Sequence, residues 1–221
     1  MNRFTLAGYL DHTLLKADAS RQDIVSLVEE GQQWQTYAVC INSSWLKTAV
    51  RTRNNHSTLR IASTVGFPLG QSGTMAKVAE VRYAINEGAD EIDAVWNLGL
   101  FLSGESAAVE DDLAAVIEAA KGAPVKVILE TARLTPEQIT EGARIAVRAG
   151  AHTVKTSTGF GFSGATQEAV SILRQAVGKT VGVKASGGIK TYQDAISLIE
   201  AGATRLGLSR TIAVLNEAPE S

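Results

Sequence analysis

The chain has 221 residues, a length typical of one α/β domain, and 45% of its residues are hydrophobic. Its 21 Lys and Arg residues are nearly matched by 23 Asp and Glu residues, so the formal net charge is -2 at pH 7. This balance excludes the strongly basic surface that binding to nucleic acid or an anionic membrane requires, and it favours a small-molecule partner.

The sequence also predicts a cytoplasmic protein. No apolar stretch approaches the roughly 20 residues that span a bilayer, and the N-terminal residues lack the pattern of a signal peptide. The single cysteine, Cys40, cannot form an internal disulfide, which agrees with a reducing compartment.

Short segments rich in β-branched residues recur along the chain and predict eight strands. The predicted strands are residues 10–14, 36–41, 59–65, 91–96, 125–130, 153–157, 181–186 and 204–208. Helical patterns lie between them, at residues 23–34, 44–52, 74–87, 107–120, 136–149, 166–177 and 192–201, with a last helix from about residue 209. Three helices are predicted to stop at Gly88, Gly150 and Gly202, because glycine readily adopts the left-handed conformation that ends many helices.

Strands that alternate with helices predict a parallel sheet. Eight such units most simply close into a (β/α)₈ TIM barrel, which we expect to form a single catalytic domain over residues 1–221. An open, doubly wound sheet is the alternative, but no Gly-x-Gly-x-x-Gly sequence follows the first strand. In a TIM barrel, the catalytic groups lie at the C-terminal ends of the strands.

Two lysines on neighbouring strands carry the strongest chemical signal. Because side chains alternate along a strand, Lys155 and Lys184 are predicted to face the barrel interior, whereas Val154 and Val183 face the helices. Two amines in one buried space disfavour each other's charged forms, and desolvation acts in the same direction. An ordinary lysine, with a pKa of about 10.4, is neutral at pH 7 in only roughly one molecule in 2,500. The pair is therefore interpreted as a means of making a neutral, nucleophilic amine.

An aspartate on the fourth strand is predicted to join the two lysines. Strand alternation places Asp93 inside the barrel and Ile92 and Ala94 on the opposite face. A carboxylate beside two amines can hold a charge, orient a lysine or relay protons through water. A structural ion pair is the other interpretation of Asp93.

Glycine-rich turns after the last strands predict a phosphate site, since backbone amides at glycines and at a helix start can point at an anion. Glycines also occur at turns for conformational reasons alone. Lys16 follows the first strand at the same end of the barrel, and Arg210 could add a positive charge. The candidate substrate- and phosphate-binding residues are Gly159, Gly187, Gly188, Gly207, Ser209, Arg210 and Lys16.

No metal site is predicted. His12, His56 and His152 are scattered along the chain, and neither His-x-x-x-His nor paired-cysteine spacing occurs. Cys40 falls on the inward face of the second strand, and we expect it to be buried without a catalytic role.

Six segments resemble motifs of the deoxyribose-phosphate aldolase family, and the resemblance covers essentially the whole chain. The segments are Asp11-His-Thr-Leu-Leu-Lys16, Thr64-Val-Gly-Phe-Pro-Leu-Gly70, Gly88-Ala-Asp-Glu-Ile-Asp93, Lys126-Val-Ile-Leu-Glu-Thr131, Val154-Lys-Thr-Ser-Thr-Gly-Phe160 and Val183-Lys-Ala-Ser-Gly-Gly188. The chain departs from the family pattern at Ser209-Arg210-Thr211, where many relatives carry two serines and a glycine. It also lacks the C-terminal tyrosine that aids proton transfer in some relatives.

The resemblance implies a class I aldolase, without a metal or another cofactor, that reversibly cleaves 2-deoxy-D-ribose 5-phosphate to D-glyceraldehyde 3-phosphate and acetaldehyde. It implies that Lys155 forms the Schiff base, that Lys184 perturbs Lys155 and assists proton transfer, and that Asp93 takes part in a proton relay. The implied partners are sugar phosphate and aldehyde substrates. The sequence leaves the oligomeric state open, and a homodimer is one of the states that agree with it.

Two other functions fit part of the sequence. Another phosphate-handling barrel enzyme, either a different Schiff-base aldolase or a sugar-phosphate isomerase, would share the glycine loops and even a lysine. It would need a glutamate base or a reactive lysine on a different strand. A non-catalytic sugar-phosphate-binding barrel would keep the glycines, but it would have no reason to bury two lysines together.

Overall fold

Eight parallel strands close into a barrel in which each strand pairs with the next along the chain and the eighth pairs with the first. The computed structural model describes residues 1–220. The strands are β1 (Leu10–Leu14), β2 (Ala38–Ile41), β3 (Arg60–Val65), β4 (Glu91–Val95), β5 (Val125–Ile128), β6 (Thr153–Lys155), β7 (Gly182–Ser186) and β8 (Arg205–Leu208). The predicted TIM barrel is confirmed, and all eight predicted strands are present.

The first helix precedes β1, and the other helices follow the strands and form the outer layer. The helices are α1 (Arg3–Ala7), α2 (Arg21–Gln33), α3 (Leu46–Thr52), α4 (Thr74–Asn86), α5 (Leu98–Leu102), α6 (Ser106–Ala119), α7 (Pro136–Arg148), α8 (Gln167–Val177), α9 (Tyr192–Glu200) and α10 (Thr211–Glu217). Short 3₁₀ turns lie at Ser43–Trp45 and Thr131–Arg133. The sequence did not predict α1 and α5, because five residues are too few to show helical periodicity.

Local sequence signals set the helix ends. Capping boxes begin α2 at Ser20, α7 at Thr135 and α9 at Thr191, where each side chain accepts a backbone hydrogen bond that the first turn leaves free. The glycines predicted to end three helices have positive φ angles of 95° at Gly88, 98° at Gly150 and 115° at Gly202, which confirms that prediction.

The main apolar core lies between the barrel and the helices, and a small separate cluster consists of Leu15, Cys40 and Ala62. Val154 and Val183, predicted to face outward, are fully buried in the main core. Trp96 is also fully buried there, and its indole Nε1 donates to the carbonyl of Leu129 at 2.9 Å. The barrel interior instead holds charged side chains, and this leaves its centre available for chemistry.

Among the described residues, no helix is both long enough and apolar enough to cross a membrane.

Candidate active site

Strand register brings the three predicted catalytic residues together. Lys155 on β6 and Lys184 on β7 are direct partners across the sheet, and both point inward as predicted. Lys155 Nζ donates to Asp93 Oδ2 at 2.7 Å, and Lys184 Nζ donates to the same oxygen at 2.8 Å. All three side chains are at most 3% exposed. One carboxylate oxygen therefore joins the two amines.

Two further buried side chains belong to this cluster, and neither was predicted from the sequence to lie in the site. Lys126, the register partner of Asp93 on β5, donates to Asp93 Oδ1 at 2.8 Å. Asp11 on β1 accepts a hydrogen bond from Lys184 Nζ. Lys126 lies between two valines in a predicted strand, so the alternation that identified Lys155 would also have placed Lys126 inside.

The carboxylates change the protonation expected from the two lysines alone. Burial lowers the pKa of Lys184, but Asp11 and Asp93 outweigh burial and raise that pKa above its ordinary value. The expectation that both amines are driven towards neutrality is therefore wrong for Lys184, because it weighed the repulsion between the amines without the two carboxylates that Lys184 contacts. Lys184 is a buried cation.

Asp93 is correspondingly a buried anion. Burial raises the pKa of Asp93, but Lys126, Lys155 and Lys184 lower it, and their combined effect places that pKa well below its usual range. Burial and the nearby Asp93 charge raise the pKa of the Cys40 thiol to about 11, so this buried side chain stays a neutral thiol near Asp93, with Sγ 3.9 Å from Oδ2.

Lys155 opens into a pocket of about 280 Å³ at the C-terminal end of the barrel. Six of the seven candidate binding residues line this pocket: Lys16, Gly159, Gly187, Gly188, Gly207 and Ser209. Arg210 does not line it. Arg210 is exposed and faces a neighbouring groove against α2, beside Asp18 and Asp23. The predicted pocket is thus assembled without Arg210, because this residue precedes α10 and its side chain extends over the outer surface.

Gly207 has a clear steric role in the site. A Cβ atom at this position would lie 3.0 Å from Lys184 Cε and 3.2 Å from Ser186 Cβ. The absence of a side chain at Gly207 on β8 therefore leaves room for the aliphatic part of the Lys184 side chain inside the barrel.

Gly187, with φ of 81°, makes a close backbone approach to Gly164 in the loop after β6.

Glu130, which was not predicted from the sequence to lie in the site, fixes the loop that follows Lys155. Glu130 lies just after β5 with a left-handed backbone conformation, φ 54° and ψ 59°. Its Oε2 accepts hydrogen bonds from the Thr158 amide at 3.2 Å and from the Thr158 hydroxyl. Because Thr158 lines the lysine pocket, Glu130 holds one wall of that pocket in place.

Comparisons with known proteins agree with this arrangement. The model of the DeoC/LacD family aldolases matches residues 5–214. A deoxyribose-phosphate aldolase of Bacillus cereus (strain AH187) is 44% identical over 218 residues, which cover 98% of this chain and 97% of the relative.

Two solved structures extend the similarity to the fold. The aldolase QR15 superposes with a TM-score of 0.92 at 37% identity, over 96% of this chain and 95% of its own. A deoxyribose phosphate aldolase from Aeropyrum pernix superposes with a TM-score of 0.87 at 32% identity, over 97% of this chain and 91% of its own.

Proposed function

The chain belongs to the DeoC/LacD family of aldolases, and we propose that it cleaves 2-deoxy-D-ribose 5-phosphate reversibly to D-glyceraldehyde 3-phosphate and acetaldehyde through a Schiff base on Lys155. Similarity to deoxyribose-phosphate aldolases over nearly the full chain supports the reaction. The observation that supports the mechanism is the contact between Lys155 Nζ and Asp93 Oδ2 at the base of a pocket lined by glycine turns.

In the first step, the neutral amine of Lys155 attacks the C1 aldehyde of the open-chain sugar. The carbinolamine that forms must take up a proton on its hydroxyl group to lose water and leave a protonated imine. Lys184 is a cation linked to Lys155 through Asp93 Oδ2, so it is placed to supply this proton. Asp93 relays the proton from the Lys184 nitrogen towards that hydroxyl group, or holds the two lysines in position for a water molecule to do so.

The protonated imine then accepts the electrons of the breaking C2–C3 bond. The C3 hydroxyl gives its proton to the Lys184 amine, which donated one in the previous step, so that C3 becomes the aldehyde carbon of glyceraldehyde 3-phosphate and C2 becomes the enamine carbon. Protonation of C2 and hydrolysis of the imine release acetaldehyde and return Lys155 to its amine form. Protonation of C2 and hydrolysis of the imine both need protons near the Lys155 nitrogen, and Asp93 and Lys184 lie beside that nitrogen.

The substrate phosphate is assigned to the far side of the same pocket. Backbone groups at Gly187, Gly188 and Gly207 line it, together with the exposed side chains of Lys16 and Ser209. Backbone amides and a lysine at the C-terminal end of a barrel suit a phosphate dianion. Arg210 is omitted from this assignment because it faces another groove.

A cleavage assay tests the proposal. Purified protein is incubated with 2-deoxy-D-ribose 5-phosphate, and glyceraldehyde 3-phosphate is measured by a coupled dehydrogenase reaction. Steady release of this product is expected. Borohydride-dependent labelling by acetaldehyde without cleavage would indicate a different Schiff-base aldolase, and absence of both the labelling and the cleavage would refute the proposal.

The cytoplasmic location and the homodimer stay predictions.

A further inference from the structure

The barrel interior contains more charge than the proposed reaction uses. Within residues 1–220, three carboxylates and three lysines in contact with one another are buried there, and one arginine caps them at the opposite end of the barrel from the pocket. The carboxylates are Asp11, Glu91 and Asp93, and the cations are Lys126, Lys155, Lys184 and Arg205. The six carboxylate and lysine side chains are each at most 3% exposed, and Arg205 is 15% exposed.

The contacts form one continuous network from Arg205 to Lys155. Arg205 Nη1 donates to Asp11 Oδ1 at 2.9 Å, and Asp11 Oδ2 accepts from Lys184. Lys184 in turn shares Asp93 Oδ2 with Lys155.

A second branch runs through Glu91. Arg205 Nη1 lies 3.6 Å from Glu91 Oε2, and Lys126 Nζ approaches the same oxygen at 2.6 Å without the alignment of a hydrogen bond. Lys126 also binds Asp93 Oδ1, so both branches end at the carboxylate that contacts Lys155.

Counted without Arg60, whose half-exposed guanidinium also contacts Glu91, the charges in this network balance only when one amine is neutral. Asp93 and Asp11 have lowered pKa values despite burial, and Lys126, Lys184 and Arg205 have raised pKa values because nearby carboxylates outweigh burial. Three carboxylates are then offset by the three cations other than Lys155. A proton on Lys155 adds an uncompensated positive charge, and its loss leaves the buried network neutral.

We propose that Arg205 is a positioning residue for catalysis, which acts through Asp11 and Glu91 to let the buried network accommodate Lys155 as a neutral amine. This inference rests on the proposed function, since it concerns the nucleophile of that reaction. Arg205 never touches the substrate pocket, and its effect on Lys155 is electrostatic.

The position of Arg205 is fixed by its surroundings. Its guanidinium carbon lies 3.2 Å from the centroid of the Tyr37 ring, so the charge is held over an aromatic face while Nη1 contacts Asp11. Arg60 reaches Glu91 Oε1 at 3.3 Å, but its side chain is 45% exposed and its charge is screened by solvent. Cys40, on β2, is a neutral thiol, and Glu130 and Lys16 stand at the pocket end outside these ion pairs.

The test measures how fast acetaldehyde forms a borohydride-trapped adduct on Lys155 as a function of pH, with the adduct located by mass spectrometry. The proteins are the parent enzyme, Arg205→Gln, Arg205→Lys, Glu91→Gln and the double variant Arg205→Gln/Glu91→Gln. Arg174→Gln is the matched control, because Arg174, on α8, donates to the backbone carbonyls of Gly202 and Val181 and contacts no carboxylate of the network. Circular dichroism confirms that each variant is folded.

Removing the Arg205 charge should move the acidic limb of the pH profile to higher pH by about one unit. At a fixed pH on that limb, the rate of adduct formation should then be roughly tenfold lower than in the parent enzyme. Glu91→Gln should move the limb to lower pH, and the double variant should return it towards the parent position. Arg205→Lys and Arg174→Gln should leave it in place.

A folded Arg205→Gln protein with an unmoved limb would overturn the inference while leaving the proposed function intact. If Arg205→Gln does not fold, Glu91→Gln alone tests the inference. An acidic limb of the Glu91→Gln profile at the same pH as in the parent enzyme would then overturn it. Absence of any Lys155 adduct in the parent enzyme would refute the proposed function and this inference with it.

Discussion

Lys155 and Lys184 are register partners on β6 and β7, and their side-chain nitrogens contact a single oxygen, Oδ2 of Asp93, at 2.7 and 2.8 Å. Two amines placed side by side in a barrel would repel each other if both were charged, but a shared carboxylate makes their proximity favourable. The same geometry gives a short proton path between them. The catalytic proposal therefore depends on Asp93 as much as on the lysines.

Asp93→Asn should lower kcat by about 100-fold or more with little change in KM, because the charge that links Lys155 and Lys184 is used during proton transfer. The variant should also lose about 3–5 kcal/mol of unfolding free energy, since it leaves buried amines uncompensated. Steady-state kinetics and urea unfolding measure the two effects.

A second buried ion pair provides the control for this substitution. Lys77 on α4 binds Asp112 on α6 at 2.8 Å, outside the barrel interior. Asp112→Asn should cost similar stability but leave kcat unchanged in the folded protein. Equal loss of kcat in both variants would show that Asp93 acts only through stability.

Lys184→Leu should slow imine formation and move the acidic limb of its pH profile. The substitution removes a proton donor, and it also removes a cation that Asp11 and Asp93 share. We expect at least a 100-fold lower rate and a limb at higher pH, because the freed carboxylates favour a proton on Lys155. The exposed residue Lys190 provides the control Lys190→Leu, which should change neither quantity. A rate and pH profile identical to those of the parent would show that the two amines do not communicate.

Ser209→Ala and Arg210→Ala should separate the lysine pocket from the groove beside it. Ser209 lines the pocket of Lys155, whereas Arg210 lines the groove against α2. Loss of a hydrogen bond to a charged phosphate should raise KM for 2-deoxyribose 5-phosphate by about tenfold in Ser209→Ala and leave the kinetics with unphosphorylated 2-deoxyribose unchanged. Arg210→Ala should change KM for either substrate by less than about twofold. A larger effect of Arg210→Ala than of Ser209→Ala would place the phosphate in the outer groove.

His12 should make stability depend on pH in the mildly acidic range. Burial lowers the pKa of His12 below 6.5, although Glu30, whose Oε2 lies 2.9 Å from Nε2, opposes that shift. Between the folded and unfolded pKa values the unfolded chain binds more protons, so stability is fully present above pH 6.5 and is lost as pH falls through that window.

Chemical unfolding from pH 7 to pH 5 measures this dependence. His12→Asn should flatten it relative to the parent, whereas His56→Asn, at an exposed position, should not. The same slope in His12→Asn as in the parent would mean that other groups cause the acid sensitivity.

The alternation of strands with helices was sufficient to predict the fold, and the alternation of side chains along single strands was sufficient to predict three inward-facing residues. The inward positions of Lys155, Lys184 and Asp93 follow from the period of two along buried strands, and the structure has each of them inside. The contact of Lys184 with Asp11 could not be predicted in the same way. Which carboxylate meets which amine depends on the stagger between strands such as β1 and β8, and no local sequence pattern specifies that stagger.

The protonation state of Lys184 and the place of Arg210 were beyond sequence reasoning for related reasons. The first depends on Asp11, which lies 173 residues away from Lys184 in the chain and contacts it only when the barrel closes. The second depends on the direction in which one side chain leaves the start of α10. Glu130 has the same inward parity as Lys126 in the predicted strand 125–130, but its backbone lies in a left-handed turn after the strand, so alternation could not indicate its contact with Thr158.

The most direct test of the account is the site of the covalent intermediate. The protein is treated with acetaldehyde and borohydride, and the modified peptide is sequenced by mass spectrometry in the parent enzyme and in Lys155→Arg. We predict a reduced acetaldehyde adduct on Lys155 in the parent, no adduct in Lys155→Arg, and turnover lowered by several orders of magnitude in that folded variant. An adduct on Lys184 or Lys126 in the parent enzyme, or labelling that persists in Lys155→Arg, would contradict the assignment of Lys155 as the nucleophile.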